Sequence, residues 1–202
     1  NGIRAAHRRG GLQWLAGCGA DVICLQEVRA THEQLHETLA DSPLADWHVA
    51  HDPAPQLGRA GVAILSTRKP EAVRPAVRHA ALDRTGRWLE ADFTTAIGNI
   101  TVVSTYIHAG EVGTPRQDEK WLFLDAMHKR LASLKTRASR DGSHVLVTGD
   151  FNIAPTDLDV YDPVKFVGAT HVSEPERQVL ASLCDWGLVG LFRMQHPEGR
   201  LY

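Results

Sequence analysis

Short β-branched runs that alternate with helical repeats constrain this chain more than any other feature. Ile100–Tyr106 reads Ile-Thr-Val-Val-Ser-Thr-Tyr, built almost wholly from residues that suit a pleated surface. Asp21–Leu25, Gly61–Ser66 and Ser143–Thr148 are shorter and more apolar, and read as buried strands. Trp88–Phe93 alternates, with Trp88, Glu90 and Asp92 on one face and Leu89, Ala91 and Phe93 on the other. Elsewhere the apolar spacing changes to three and four. Leu124, Met127, Leu131 and Leu134 mark one face of a long helix from about Gln117 to Lys135. An amphipathic helix is expected near Leu12–Leu15. Another runs from about Glu174, with Pro175 in a tolerated first-turn position, to Trp186, with Gly187 as its cap. Val189–Arg193 reads as one more strand.

Loops near residues 53–58 and 110–115 carry Gly and Pro punctuation, and no repeat or low-complexity linker intervenes. A chain of 202 residues is long enough for one sizeable core. The expectation is therefore a single α+β domain over residues 1–202. Its 43% apolar and 23% charged residues suit a soluble globular protein. No apolar run reaches the roughly 18 residues of a membrane span, so no membrane partner is expected. The three cysteines, Cys18, Cys24 and Cys184, form no C-x-x-C pair and fit a reducing, cytoplasmic setting. A net charge of −2 does not announce nucleic acid, but a local basic footprint suffices for binding it. Arg4, Arg8 and Arg9, together with Arg84 and Arg87, are candidates for that footprint, with solvated surface arginines as the plain alternative.

Polar residues gather at the ends of these runs. Glu27 lies just past Asp21–Leu25, Tyr106 closes Ile100–Tyr106, and Asp150 and Asn152 lie just past Ser143–Thr148. Strand ends hold the backbone rigid while side chains face an open cleft. Should these ends lie side by side, two carboxylates, a carboxamide and a phenol converge. Hard oxygen ligands suit Mg²⁺, which often takes only one or two protein carboxylates and keeps substrate phosphate oxygens. Phosphodiester cleavage needs that charge neutralisation and an activated water. Asp150 can exchange a proton or hold the metal, and Asn152 can donate to a phosphate oxygen as charge builds. Taken singly, each has a plain reading: Gly149-Asp150-Phe151-Asn152 as a turn, Glu27 as a surface acid, Tyr106 as core or rim.

A rival signal is His32-Glu33-Gln34-Leu35-His36, a literal H-E-x-x-H. On a helix the two histidines share a face, as in zinc proteases, with Glu33 as base. No metzincin continuation follows, since Leu39 and Ser42 stand where its Gly and third His belong. A solvated helix face is the plain reading.

The order of motifs resembles the exonuclease III branch of the endonuclease/exonuclease/phosphatase superfamily. Leu25-Gln26-Glu27 resembles its L-Q-E motif, and Gly149-Asp150-Phe151-Asn152 through Asp159 resembles its G-D-x-N-x-x-P-x-D-x-D segment. Asn1-Gly2-Ile3-Arg4-Ala5, Gly61–Ser66, Glu174-Pro175-Glu176-Arg177 and Trp186–Arg193 are similar to further stretches in the same order.

The resemblance implies a four-layer α/β sandwich, two packed mixed β-sheets flanked by helices. It implies a monomeric DNA-repair nuclease that uses Mg²⁺ or Mn²⁺. Such an enzyme cleaves duplex DNA 5′ to abasic sites and removes nucleotides or blocking groups from 3′ ends. By the same resemblance, Glu27, Asp150 and Asn152 are the metal-site residues. Tyr106 lies beside the scissile phosphate, Asp150 transfers the proton and Asn152 stabilises the transition state.

Alternatives are a phosphoinositide, sphingomyelin or RNA phosphodiesterase of the same superfamily, and a non-catalytic relative. The Pro155-Thr156-Asp157-Leu158-Asp159 tail argues against other substrates by resemblance, and the retained site residues argue against a non-catalytic role. The family's leading Asn of N-x-N-G and its later R-I-D and S-D-H segments do not occur here. From this a chain cut at both ends, with low activity of its own, is expected. Leu201-Tyr202 is read as the start of a further segment. After Tyr106 the family often has Pro and Gln or Asn, whereas this chain has Ile107-His108-Ala109-Gly110.

Overall fold

The computed structural model describes residues 2–199. Asn1 of the opening motif, and Leu201-Tyr202, lie outside the described residues. The chain divides into two compact units: Asn1–Tyr106 with Lys129–Asp150, and Ile107–His128 with Phe151–Tyr202.

The first unit holds both sheets. β1 (Val22–Leu25), β2 (His48–Asp52) and β3 (Val62–Ser66) form an antiparallel sheet in the order β1-β3-β2. β4 (Ala72–Arg74), β5 (Trp88–Thr95), β6 (Gly98–Tyr106) and β7 (His144–Asp150) form a mixed sheet in that order, and β7 runs parallel to β6. The expected pair of mixed sheets is thus one antiparallel and one mixed sheet. Ala50, Val62 and Ile64 pack with Leu89, Ala91, Phe93 and Val102 to form the core between them. Helices α1 (Ile3–Arg8), α2 (Gly11–Gly17) and α3 (His32–Ala40) cover the outer face of the first sheet through Ile3, Leu12, Leu35 and Leu39. The later part of α4 (Pro115–Asp141) covers the outer face of the second, where Arg130 and Arg137 reach Glu90 and Asp92. Helices, two sheets and a helix make the four expected layers.

The alternation read in Trp88–Phe93 accounts for both faces of β5. Leu89, Ala91 and Phe93 enter the inter-sheet core, while Trp88, Glu90 and Asp92 share the other face. Glu90 is fully buried there. Its Oε1 accepts from Arg130 Nε at 2.6 Å and Trp88 Nε1 at 2.9 Å. Its Oε2 accepts from Arg130 Nη2 and Arg74 Nε, both at 2.7 Å. Burial raises the carboxyl's pKa, but these donors outweigh it and leave it lowered.

Three expectations need correction. β1 and β7 are not fully buried, because each sits at a sheet edge with one paired neighbour among the described residues. They line a cavity of about 700 Å³ with Val22, Cys24, Ile100, Val102 and Leu146. Val189–Arg193 is not a strand: α6 (Leu191–Gln195) is helical. Leu, Arg, Met and Gln are good helix formers. No strand partner is present there among the described residues, and Val189, Leu191, Phe192 and Met194 remain exposed. Finally, β7 extends to Asp150, so Asp150 closes the strand and does not follow it.

The second unit contains the first part of α4, two 3-10 turns at Asp157–Asp159 and Thr170–Val172, α5 (Glu174–Asp185) and α6. Pro175 sits in the first turn of α5 as expected. Trp186 is the cap residue and Gly187, with φ 108°, is the first residue beyond it.

Candidate active site

Three strand ends of the first unit bring Glu27, Tyr106 and Asp150 together. β6 and β7 pair in parallel register with Tyr106 opposite Asp150, so their side chains leave the same face. The Gly149 position makes that register possible. Its φ is +153°, and a Cβ there would lie 2.0 Å from the Thr105 carbonyl oxygen. Only glycine lets β7 approach β6 this closely. Gly149 therefore has a steric role that the turn reading of the motif does not supply.

Glu27 reaches the same place from β1. Gln26 Nε2 donates to Ser104 Oγ at 3.0 Å, and Ser104 Oγ donates to the Leu25 carbonyl at 3.2 Å. These bonds pin the end of β1 onto β6. The next residues turn sharply: Glu27 and Arg29 have φ of 50° and 51°, a region L-residues seldom adopt. Val28 N and Arg29 N donate to the carbonyls of Gly61 and Ala60 at 3.0 and 2.9 Å. Ile3 N donates to the Val28 carbonyl at 3.0 Å, and a Cβ at Gly2 would lie 2.9 Å from that oxygen. The opening Gly2-Ile3 thus seats directly against the turn that carries Glu27.

Glu27 Oε1 accepts from Arg29 Nη2 at 2.7 Å and from the Tyr106 hydroxyl at 2.8 Å. Burial raises the Glu27 pKa, yet the two hydrogen bonds and the Arg29 charge prevail and hold it below the usual carboxylate value. The Tyr106 phenol is pushed up to about 12 by burial first, then by Glu27 and Asp150. At neutral pH the pair is a carboxylate and a protonated phenol.

The site suits a hard cation. Both protein donors converge on Oε1 of Glu27, and among the described residues none is given to Oε2. Among the described residues no three His, Cys, Asp or Glu side chains are grouped to hold a metal. Two neighbouring carboxylates match Mg²⁺, which commonly takes one or two and fills the rest of its shell with water and phosphate oxygens.

Asn152 belongs to the second unit. It has φ 47°, and its Nδ2 donates to the Ile107 carbonyl at 2.7 Å. This bond fixes the orientation of the carboxamide. The Asn152 carbonyl accepts from Lys120 Nζ at 2.9 Å. Lys120 is fully buried, and its Nζ lies 2.6 Å from Glu176 Oε1. Arg177 donates to the Ala154 carbonyl at 3.1 Å and to Asp157 at 2.8 Å. Glu176 and Arg177 of the Glu-Pro-Glu-Arg stretch therefore brace the loop that carries Asn152.

Sequence reasoning missed Lys120, Glu176 and Arg29 as supports. One signal was available: Lys120 lies four residues before Leu124, on the apolar stripe of α4, where a solvated lysine does not belong. The rival H-E-x-x-H does lie on a helix, α3, capped by Thr31 and Gln34. His32 Nδ1 contacts His51 Nδ1 at 3.3 Å, and no third ligand joins the pair among the described residues. Arg4, Arg8, Arg9 and Arg84 are exposed, and Arg87 is half-buried close enough to Tyr106 to oppose, without reversing, the rise in its pKa.

Known proteins share the fold described above. The profile of the Endonuclease/Exonuclease/phosphatase family matches residues 10–199. The exodeoxyribonuclease of Bacillus subtilis is 27% identical over 199 residues, covering 98% of this chain and 73% of the relative. An AP endonuclease structure from Archaeoglobus fulgidus superposes with a TM-score of 0.84 at 26% identity, covering all of this chain and 74% of that one. A Neisseria 3′ phosphatase bound to product DNA hairpin gives 0.82 at 28% identity, covering 98% and 73%. The chain thus spans about three quarters of each.

Proposed function

The chain belongs to the endonuclease/exonuclease/phosphatase family, and from that premise we propose that it carries the catalytic core of a Mg²⁺-dependent DNA-repair nuclease of exonuclease III type. The substrates are duplex DNA with abasic sites and 3′ ends bearing nucleotides or blocking groups. The protein acts as a monomer in a reducing, cytoplasmic setting. The observation that carries this reading is the cluster of Glu27, Tyr106 and Asp150 at adjoining strand ends.

Glu27, through Oε2, and Asp150 would hold the metal, with Asn152 assisting. When bound, Mg²⁺ supplies charge neutralisation at the phosphate oxygens and a more acidic water. Tyr106, protonated at neutral pH, serves as a donor that orients Glu27 and faces the phosphate; it does not act as a phenolate nucleophile. Asp150 accepts a proton from the attacking water as it adds to phosphorus. The bond to the 3′-oxygen of the upstream nucleotide breaks with its electron pair going to that oxygen, which takes a proton from solvent to give a 3′-hydroxyl. Asn152 donates to a phosphate oxygen as charge builds. Arg84 and Arg87 contact backbone phosphates, which position a duplex without reading its sequence.

The test is Mg²⁺-dependent cutting of a labelled duplex with an abasic analogue by the intact protein. Glu27→Ala and Asp150→Asn should each abolish most cutting. Retention of cutting in both variants would overturn the assignment.

A further inference from the structure

Asp52, at the end of β2, takes no part in the reaction proposed above, yet it anchors a backbone relay between the two main site residues. It is 4% exposed. Its Oδ2 accepts the Gly86 N–H at 2.8 Å. The Gly86 carbonyl accepts the Gly61 N–H at 2.9 Å, and the Gly61 carbonyl accepts the Val28 N–H at 3.0 Å, directly after Glu27. On the other side, the Arg87 carbonyl accepts the Tyr106 N–H at 2.9 Å and the Thr105 hydroxyl at 3.0 Å. The Gly86–Arg87 segment is therefore a hub with the Glu27 turn on one arm and the Tyr106 strand end on the other.

The hub cannot move aside cheaply. Gly86 has φ +71°, and a Cβ there would lie 2.6 Å from Ala54 N and 2.9 Å from Gly61 N. Asp52 contributes the carboxylate at the root of this relay. An aspartate buried only to fill space would be a poor choice, since burial opposes its charge.

We propose that Asp52 is a positioning residue, whose carboxylate fixes the Gly86–Arg87 hub and so sets the spacing between Glu27 and Tyr106. This rests on the nuclease reading for its consequence in catalysis, but the relay itself can be tested without activity. The charged groups that face Asp52 are Arg84 and Asp83 of the loop, while its β3 neighbour is Val62. Burial, opposed by the Gly86 bond and Arg84, pushes its pKa up to about 6.

Amide hydrogen exchange and amide chemical shifts test the relay directly. In Asp52→Ala, exchange at Gly61 and Tyr106 should rise about tenfold or more while Val103, inside β6, keeps its protection. Asp52→Asn retains an acceptor oxygen of the same reach and should restore most of that protection. In the unaltered chain, the Gly86, Gly61 and Tyr106 amide shifts should titrate together near pH 6, and in Asp52→Asn that step should vanish. Unchanged exchange at Gly61 and Tyr106 in the alanine variant would overturn the proposal, as would uniform loss of protection throughout the sheet. If Asp52→Ala does not fold, the shared titration decides: its absence from Gly61 and Tyr106 overturns the relay.

In the intact nuclease, Asp52→Ala should lower kcat about tenfold with KM nearly unchanged. Asp52→Asn, which keeps the acceptor for the Gly86 N–H, should recover most of that loss. An intact protein without nuclease activity would refute the proposed function and leave the exchange result readable.

Discussion

Two glutamates of the first unit meet arginine in opposite ways. Glu90 is sealed between β5 and α4, and each of its oxygens accepts two protein donors. Glu27 lies at a strand end, its side chain 33% exposed, and both of its donors among the described residues fall on one oxygen. Both pKa values are lowered, so charge state does not distinguish them. Unused coordinating capacity does. A carboxylate whose lone pairs are all engaged is a structural tie, whereas one with an oxygen left over can take a ligand.

The largest effect should come from breaking the sealed site. Glu90→Ala leaves the buried Arg130 without its carboxylate partner and should cost about 3–5 kcal/mol, read by denaturant unfolding. Glu27→Gln should do the reverse. Stability should change by less than about 1 kcal/mol, while Mg²⁺-dependent cleavage falls roughly a hundredfold, about 2.7 kcal/mol of barrier. If both variants lost stability equally, the contrast between the sites would be void.

Acid sharpens the comparison next. Asp92 accepts Arg74 at 2.6 and 2.8 Å and is bonded by Thr101. Burial raises its pKa, but these partners win and bring it from 3.8 to about 2. A depressed carboxyl stabilises the fold above its unfolded value, and that stability is lost as pH falls through the folded value. Unfolding curves between pH 4 and pH 2 should therefore lose about 2 kcal/mol through this group, and Asp92→Asn should flatten that slope. The smallest effect is Arg29→Ala, which removes one of the two donors on Glu27 among the described residues. Stability should shift by under about 1 kcal/mol, and the Mg²⁺ concentration for half-maximal cutting should rise a few-fold.

The strand cores were legible because side-chain alternation and β-branching report local burial directly. Leu89, Ala91 and Phe93 lie on the inter-sheet face that their spacing predicts. Errors came where burial depends on what lies next door. Val145, Leu146 and Val147 look like a central strand, yet among the described residues β7 is an edge and they are only half-buried. Val189–Arg193 has strand-like residues, but without a neighbouring strand among the described residues its backbone hydrogen bonds close within a helix.

The site divides in the same way. Glu27, Tyr106, Asp150 and Asn152 could be named from residue type and position at the ends of apolar runs. Their supports could not, because these act through backbone atoms distant in sequence. Lys120 grips the Asn152 carbonyl, and Asp52 holds Gly86.

Sequence alone thus determined the layered class of the fold, the strand ends that carry polar chemistry and the family to which those ends are similar, since each is written in local periodicity or contiguous motif. Only the tertiary structure decided that Tyr106 stands opposite Asp150, that Glu27 keeps one oxygen without a donor among the described residues, and that the Gly86 and Arg87 carbonyls bond toward the Glu27 turn and the Tyr106 strand end. Strand register and hydrogen-bond saturation are pairwise properties of distant residues, and no single stretch of chain encodes them.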